Sequence, residues 1–206
     1  MEQWHDFEFS SGRLCLDFIN TLGDRPEEQP KEEELHSYAD LVAWGEAAGA
    51  LSGEEAASLL REAVRRPTEA TETFTGAIAL REAMYRVFSA ITTDAAPPEG
   101  DFARLNGAIR DAMARSRFAP AGEHFTWDWE RDPAALDGML WPVAWSAAEL
   151  LTSEELGRVH ECAGTDCSWL FVDMSKNGSR RWCEMRSCGN RAKARRHRER
   201  QRTAHS

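Results

Sequence analysis

Four cysteines near the end of the 206-residue chain constrain its fold more than any other feature: Cys162 and Cys167, then fifteen residues, then Cys183 and Cys188. Two close pairs separated by about 15–20 residues have the spacing of a zinc site, because each pair can grip one side of a tetrahedral ion. Four thiolates fill zinc's coordination sphere and leave no position for water, so one structural Zn2+ per chain is expected, and no catalytic metal. His160 and His197 could replace a cysteine, but the spacing gives no reason to prefer them. So small a unit cannot bury an adequate core, and the metal would supply its folding free energy. The fifth cysteine, Cys15, stands alone in an apolar stretch and reads as a small buried hydrophobe.

The chain between the pairs supports a fold. Trp169-Leu170-Phe171-Val172 is β-prone, Lys176-Asn177-Gly178-Ser179 contains the Asn-Gly hairpin signal, and Arg180-Arg181-Trp182 returns toward the third cysteine. The last pair leads through Gly189-Asn190 into a helix from about residue 191 to 202. A first cysteine turn, a hairpin, then two cysteines at a helix start is the layout of a treble-clef-like finger.

That last helix has no apolar stripe, so it cannot pack along its length and should project. Residues 175–202 carry +9 and the rest of the chain −19, although the net charge is only −10. A basic run alone is as often a solvated tail; beside a zinc module it points to a polyanion, nucleic acid above all. The candidate phosphate-contacting residues are Arg180, Arg181, Arg186, Arg191, Lys193, Arg195, Arg196, Arg198, Arg200 and Arg202. Trp169, Phe171 and Trp182 would stack on unpaired bases if exposed, favouring RNA; their alternation with polar residues suggests burial, favouring duplex DNA.

Residues 1–150 read as mostly helical. Leu14, Cys15, Phe18, Ile19 and Leu22 mark a first helix, and Leu35, Tyr38, Leu41, Val42 and Trp44 a second. Ser52 with Glu55 makes a capping box for a third, which Pro67 closes. Phe74 to Ile91 builds a long fourth, and Phe102, Leu105, Ile109 and Met113 a fifth. Prolines mark a charged loop over 24–30 and a break over 94–100. The runs flanking Gly122 form a β-hairpin over 117–129. Asp132-Pro133 opens a helix carrying Leu136, Leu140, Val143, Ala147 and Leu150, and Thr152 is a further cap. Trp4, Trp44, Trp127, Trp129, Trp141 and Trp145 are expected to pack this body; a pocket walled by Trp127, Trp141 and Trp145 is the alternative. There is no internal repeat and no long linker. The fold class is therefore mainly α: a helical domain with a small β-hairpin over residues 1–155, then the finger and its basic helix over 156–206. The helical part is expected to fold alone.

No apolar run approaches the ~20 residues of a membrane span. The polar, acidic start MEQWHDFEFSSGR lacks the layout of a signal peptide, so a cytoplasmic protein without a membrane partner is expected.

Residues 162–202, with Phe171, Asp173, Ser175, Arg180-Arg181-Trp182-Cys183 and Cys188-Gly189-Asn190-Arg191, resemble the CGNR zinc finger. Leu16-Asp17-Phe18-Ile19-Asn20-Thr21 and Leu80-Arg81-Glu82 resemble the helical ABATE-type domain that precedes it. Glu184 departs from the small serine of the pattern but touches no ligand position. The resemblance implies a bacterial protein of a family described as stress-induced transcription regulators, for which RNA binding has also been suggested.

The expected function is a DNA-binding transcriptional regulator whose helical body dimerises or senses a small-molecule effector. RNA binding and a zinc-structured protein-interaction module are the alternatives. An effector pocket would draw on Asp17, Asn20, Arg25, Arg81 and Trp141, with Glu82 beside them, although capping and surface ion pairing account for such residues more readily. No nucleophile–base pair, phosphate loop or open metal site is visible, so no enzyme is expected.

Overall fold

The computed structural model describes residues 7–23, 25, 33–130, 132, 135–165 and 167–204, and for residues 199 and 202–204 the backbone alone. Trp4, Pro133 and most of the expected 24–30 loop lie outside the described residues.

Helix α1 spans Leu14–Ile19 and buries Cys15, Leu16, Phe18 and Ile19. It stops short of Leu22 because Asn20 turns aside for another task, set out below. Ser37 caps α2 (Tyr38–Ala47) by accepting from the Asp40 N–H. The Ser52–Glu55 capping box starts α3 (Gly53–Arg65) as the sequence indicates. Pro67 then ends α3 and opens α4 (Pro67–Thr92) as its first residue, where its missing N–H costs nothing. This 26-residue helix runs through the middle of the body and buries Ala77, Leu80, Met84, Val87 and Phe88. Helix α5 (Glu99–Ala114) packs on α4 and α6.

Strands β1 (Ser116–Ala121) and β2 (His124–Trp129) form the expected hairpin, with Gly122 at φ +64° in its turn. Opposed residues share a face, so Phe118, Trp127, Pro120 and Phe125 lie together on one side, with the Arg117–Asp128 pair on the other. Trp145 closes the base of the aromatic side, 4.5 Å from Trp127 between ring centroids.

Helix α6 covers Leu140–Leu151, not the stretch from Pro133. The reason is Pro142. A helix begun at residue 133 would place Pro142 in its interior, where the ring clashes with the carbonyl four residues back; begun at Leu140, it puts Pro142 in the first turn, where no intrahelical N–H is needed.

A short 3-10 turn (Glu154–Arg158) leads into β3 (Val159–Glu161), which pairs antiparallel with β4 (Leu170–Val172). This corrects the expected hairpin. The partner of 170–172 lies before the first cysteine, not across Asn177-Gly178 at 180–182. The Asn-Gly turn does form, with Gly178 at φ +59°, but its two arms do not pair as strands. A π-helical turn (Met185–Gly189) then feeds α7 (Asn190–Ala204).

One apolar core joins α1, α2, α4 and α6 around Phe18, Leu41, Trp44, Met84 and Phe88, and it includes Val159, Leu170 and Val172 from β3 and β4. Packing therefore runs across residue 155. Trp44 and Trp141 are buried; Trp141 packs against Ala112 and Ala144, while Trp127 stacks on Trp145. Among the described residues, the cleft that Trp141 lines includes neither Trp127 nor Trp145. Among the described residues, no helix is long and apolar enough to cross a membrane.

Candidate metal centre and basic helix

The loop between β3 and β4 brings in Cys162 and Cys167; Cys183 precedes the π-helical turn and Cys188 lies within it. Backbone pairing holds the two halves in register. Cys162 N–H donates to Trp169 O at 2.9 Å, and Ala163 N–H donates to Arg181 O at 2.9 Å. All four sulfurs lie within 4.8 Å of one another, with Cys167–Cys183 at 3.7 Å and Cys183–Cys188 at 3.6 Å. A tetrahedron with Zn–S bonds of about 2.3 Å has edges of about 3.8 Å, whereas a disulfide would need about 2.05 Å. The spacing fits a metal and excludes a disulfide.

Without a cation between them the clustered thiols cannot all ionise together. Hydrogen bonds from the Cys167 and Cys183 thiols hold Cys162 far down, to about 2, and those same bonds push Cys167 and Cys183 up. A dication at the centre is what lets all four sulfurs be thiolates together. Gly164 supplies a further fit: a Cβ there would come within 3.1 Å of Cys167 Cβ and 3.2 Å of Cys188 Sγ. This glycine keeps the cradle open, and its spacing inside the first cysteine pair is the signal that would have found it. The centre is a structural four-cysteine zinc site, and the zinc supplies folding free energy, not chemistry.

Each residue of Cys188-Gly189-Asn190-Arg191 has a physical task. Cys188 is a ligand. Gly189 closes the π-helical turn by donating to Glu184 O at 3.0 Å, and a Cβ on it would lie 2.7 Å from the Met185 sulfur. The Asn190 amide donates to Arg186 O at 3.0 Å. Arg191 Nη2 donates to Cys188 Sγ at 3.1 Å, placing a cation on a metal ligand.

The candidate phosphate residues divide. Arg180 is taken up inside the finger: its guanidinium stacks on Phe171 at 4.3 Å and donates to Ser10 O, Trp182 O and Cys183 O. It is a strut joining finger and body, with its donors turned to backbone carbonyls. Arg195 is half-buried and donates to Thr165 Oγ1 at 2.8 Å, tying the second turn of α7 to the first cysteine loop. Arg181, Arg186, Arg191, Lys193, Arg196, Arg198 and Arg200 are exposed. The Arg202 side chain lies outside the described residues. Phe171 is fully buried, with Trp169 and Trp182 packed partly buried around the cysteines. Asp173 is buried too; the Ser175 hydroxyl and the Ser175 and Arg180 backbone N–H groups hold its carboxyl down to about 2.

Among the described residues, the expected effector residues are engaged with partners in different places. Asp17 accepts from Ser11 N–H, and burial raises its carboxyl. Asn20 donates to Leu170 O at 2.8 Å and accepts from Leu170 N–H at 2.9 Å, acting as an extra rung beside β4. Arg81, fully buried, grips Glu33 through both terminal nitrogens at 2.7 and 2.6 Å and touches Glu82. Burial lowers Arg25, Glu82 partly offsets that, and Arg25 also reaches Ser168 and the Ile19 and Leu22 carbonyls. Asn20, Arg25, Arg81 and Glu82 thus bolt the finger and the N-terminal segment to α4. Trp141 lies elsewhere and bonds Asp137 at 3.1 Å.

The family model described as ABATE, "Putative stress-induced transcription regulator", matches residues 12–154. The model of the CGNR zinc finger matches residues 158–201. Comparison with curated proteins gives no match.

Proposed function

Because the chain belongs to the ABATE family and carries a CGNR zinc finger after that domain, we propose that it is a cytoplasmic transcriptional regulator that docks its finger and basic helix on duplex DNA. The observation that carries this reading is the exposed arginine surface of α7, rooted at the metal through the Arg191–Cys188 and Arg195–Thr165 bonds. A rigid root lowers the entropy lost when the helix meets phosphates, so Arg186 and Arg191 contribute more per residue than Arg198 and Arg200 farther out. The burial of Phe171 and the seating of Trp169 and Trp182 against the cysteines favour a duplex, since bases have little exposed aromatic face to stack on. The body's −19 repels the polyanion and orients approach finger-first. No enzymatic step belongs to this reading: four thiolates close the metal's sphere.

Selection of bound fragments from a mixed pool of genomic DNA and total RNA tests it. Duplex DNA should dominate, with log affinity falling against log salt at a slope of about −4 to −5 if ~4–5 phosphates are engaged. Arg196→Ala with Arg198→Ala should flatten that slope. Recovery of single-stranded RNA alone would move the assignment to RNA. Binding to neither, with acidic proteins retained on the intact chain, would make the finger an interaction module.

A further inference from the structure

We propose that the helical body holds a second binding site, an open cleft between α4, α5 and the turn into α6 that takes a small, flat organic cation. The cleft encloses about 650 Å³, within the range of small-molecule sites of about 300–1,000 Å³. Its floor is apolar, with Leu80 from α4 and Leu140 and Trp141 at the start of α6.

The glycines carry the inference. Gly76 on α4 and Gly100 and Gly107 on α5 all line this cleft. A Cβ on any of them would meet nothing within 4 Å, so none is required by close helix packing. None has the positive φ found at Gly12, Gly49, Gly122 and Gly178. A glycine inside a helix costs about 1 kcal/mol relative to alanine. The two other α-helical glycines differ: Gly45 faces Met139 at 2.9 Å and Gly53 faces Glu46 at 3.0 Å, while Gly157, in the 3-10 turn, faces open space outside the cleft. Gly76 and Gly107 stand inside helices where neither conformation nor packing demands glycine, both open on this cavity, and the volume they keep free accounts for them; Gly100 lines it from the first turn of α5.

The polar groups set the charge of the occupant. Asp111 and Asp137 are the cleft's carboxylates, and the Trp141 indole N–H fixes Asp137 by donating to one of its oxygens. Arg104 is the cleft's guanidinium, and Asp101 outside it draws on the same charge. The Trp141 ring already accepts the Arg115 guanidinium 5.0 Å from its centroid, which shows its face suited to a cation. Two carboxylates line the cleft against one guanidinium, Arg104, whose charge Asp101 shares; Arg115 sits on the indole but outside the lining, and the lining selects a cation with a flat apolar body.

This site goes beyond the nucleic-acid reading and is tested without it, by calorimetric titration of the full-length, zinc-loaded protein alone. The probes are phenethylamine, phenethyl alcohol and phenylacetate, one ring with three charges. Phenethylamine should bind with a Kd near or below ~1 mM, and the alcohol and acid at least about tenfold more weakly. Asp111→Asn and Asp137→Asn should each weaken the amine without affecting the alcohol. Gly76→Leu and Gly107→Leu, on separate helices, should each fill the cleft and abolish binding. Their unliganded Tm should equal or exceed the parent's, because leucine is the better helix former. No amine binding, equal binding of all three probes, preference for the acid, or unchanged binding to either folded leucine variant would overturn the proposal.

Discussion

The helical body and the finger hold their shapes by opposite means. The body closes a continuous apolar core around Phe18, Trp44, Met84 and Phe88. The finger's own interior is Phe171 and thiols, with Trp169 and Trp182 at its margin. It compensates with the metal, a buried carboxylate and an arginine strut. Its strands, moreover, place Val159, Leu170 and Val172 in the body's core. The chemistry that stabilises the chain therefore changes within the finger: β3 and β4 are held by burial in the body's core, and the cysteine loop between them and the chain after β4 are held by zinc. One half of the finger depends on burial and the other half on zinc.

The largest effect should come from removing the metal, since structural zinc contributes about 10–16 kcal/mol of apparent binding free energy. Chelation or Cys183→Ser should abolish amide protection from residue 174 onward and leave Leu170 protected, because its N–H is bonded to Asn20. Loss of protection at Leu170 together with α7 would erase the proposed division. Next comes truncation. Ending the chain after Leu151 strips three buried aliphatic side chains from the core, worth roughly 1.5–3 kcal/mol each. Ending it after Met174 keeps them. The longer fragment should stay soluble and helical, with a Tm well above the shorter one; equal stability would show that residues 1–151 are self-sufficient. Asn20→Ala should cost about 2–4 kcal/mol by leaving the Leu170 N–H and carbonyl unpaired, with one zinc per chain retained. The smallest and most selective effects separate two arginines. Arg180→Ala should lower the finger's stability by about 1–3 kcal/mol and leave the salt slope of DNA binding alone. Arg196→Ala should do the reverse, reducing the slope by about one unit. Identical behaviour of the two variants would return Arg180 to the binding surface.

The parts legible in the sequence were those set by local chemistry: the cysteine spacing, the Ser52–Glu55 box, the alternation around Gly122 and the lack of an apolar stripe on α7. What escaped was set by partners distant in the chain. The Asn177-Gly178 signal is real, but a turn does not specify which strands pair, and β4 found Val159–Glu161 because that pairing buries Val159 and Val172 in the body. Pro142 is the local signal for the later start of α6, since a helix from residue 133 would hold it in the interior. Arg180 reads as one more basic residue until Phe171 is seen beneath it. Asn20 and Arg81 carry the resemblance of the body, yet their polarity suggests a pocket; only the fold shows Leu170 and Glu33 as their partners.

The Asn20–Leu170 pairing also bears on how such chains can recombine. The two family segments abut at residues 154 and 158, which invites shuffling of fingers among bodies. A foreign finger joined there would have to offer a strand whose backbone meets the Asn20 amide in register, flanked by aliphatic side chains that fill the sockets of Val159 and Val172. Without them the chimera would leave the Asn20 amide unpaired in the middle of a buried packing surface. The seam is short in sequence and wide in space, so a finger can be exchanged only together with the surface it fits.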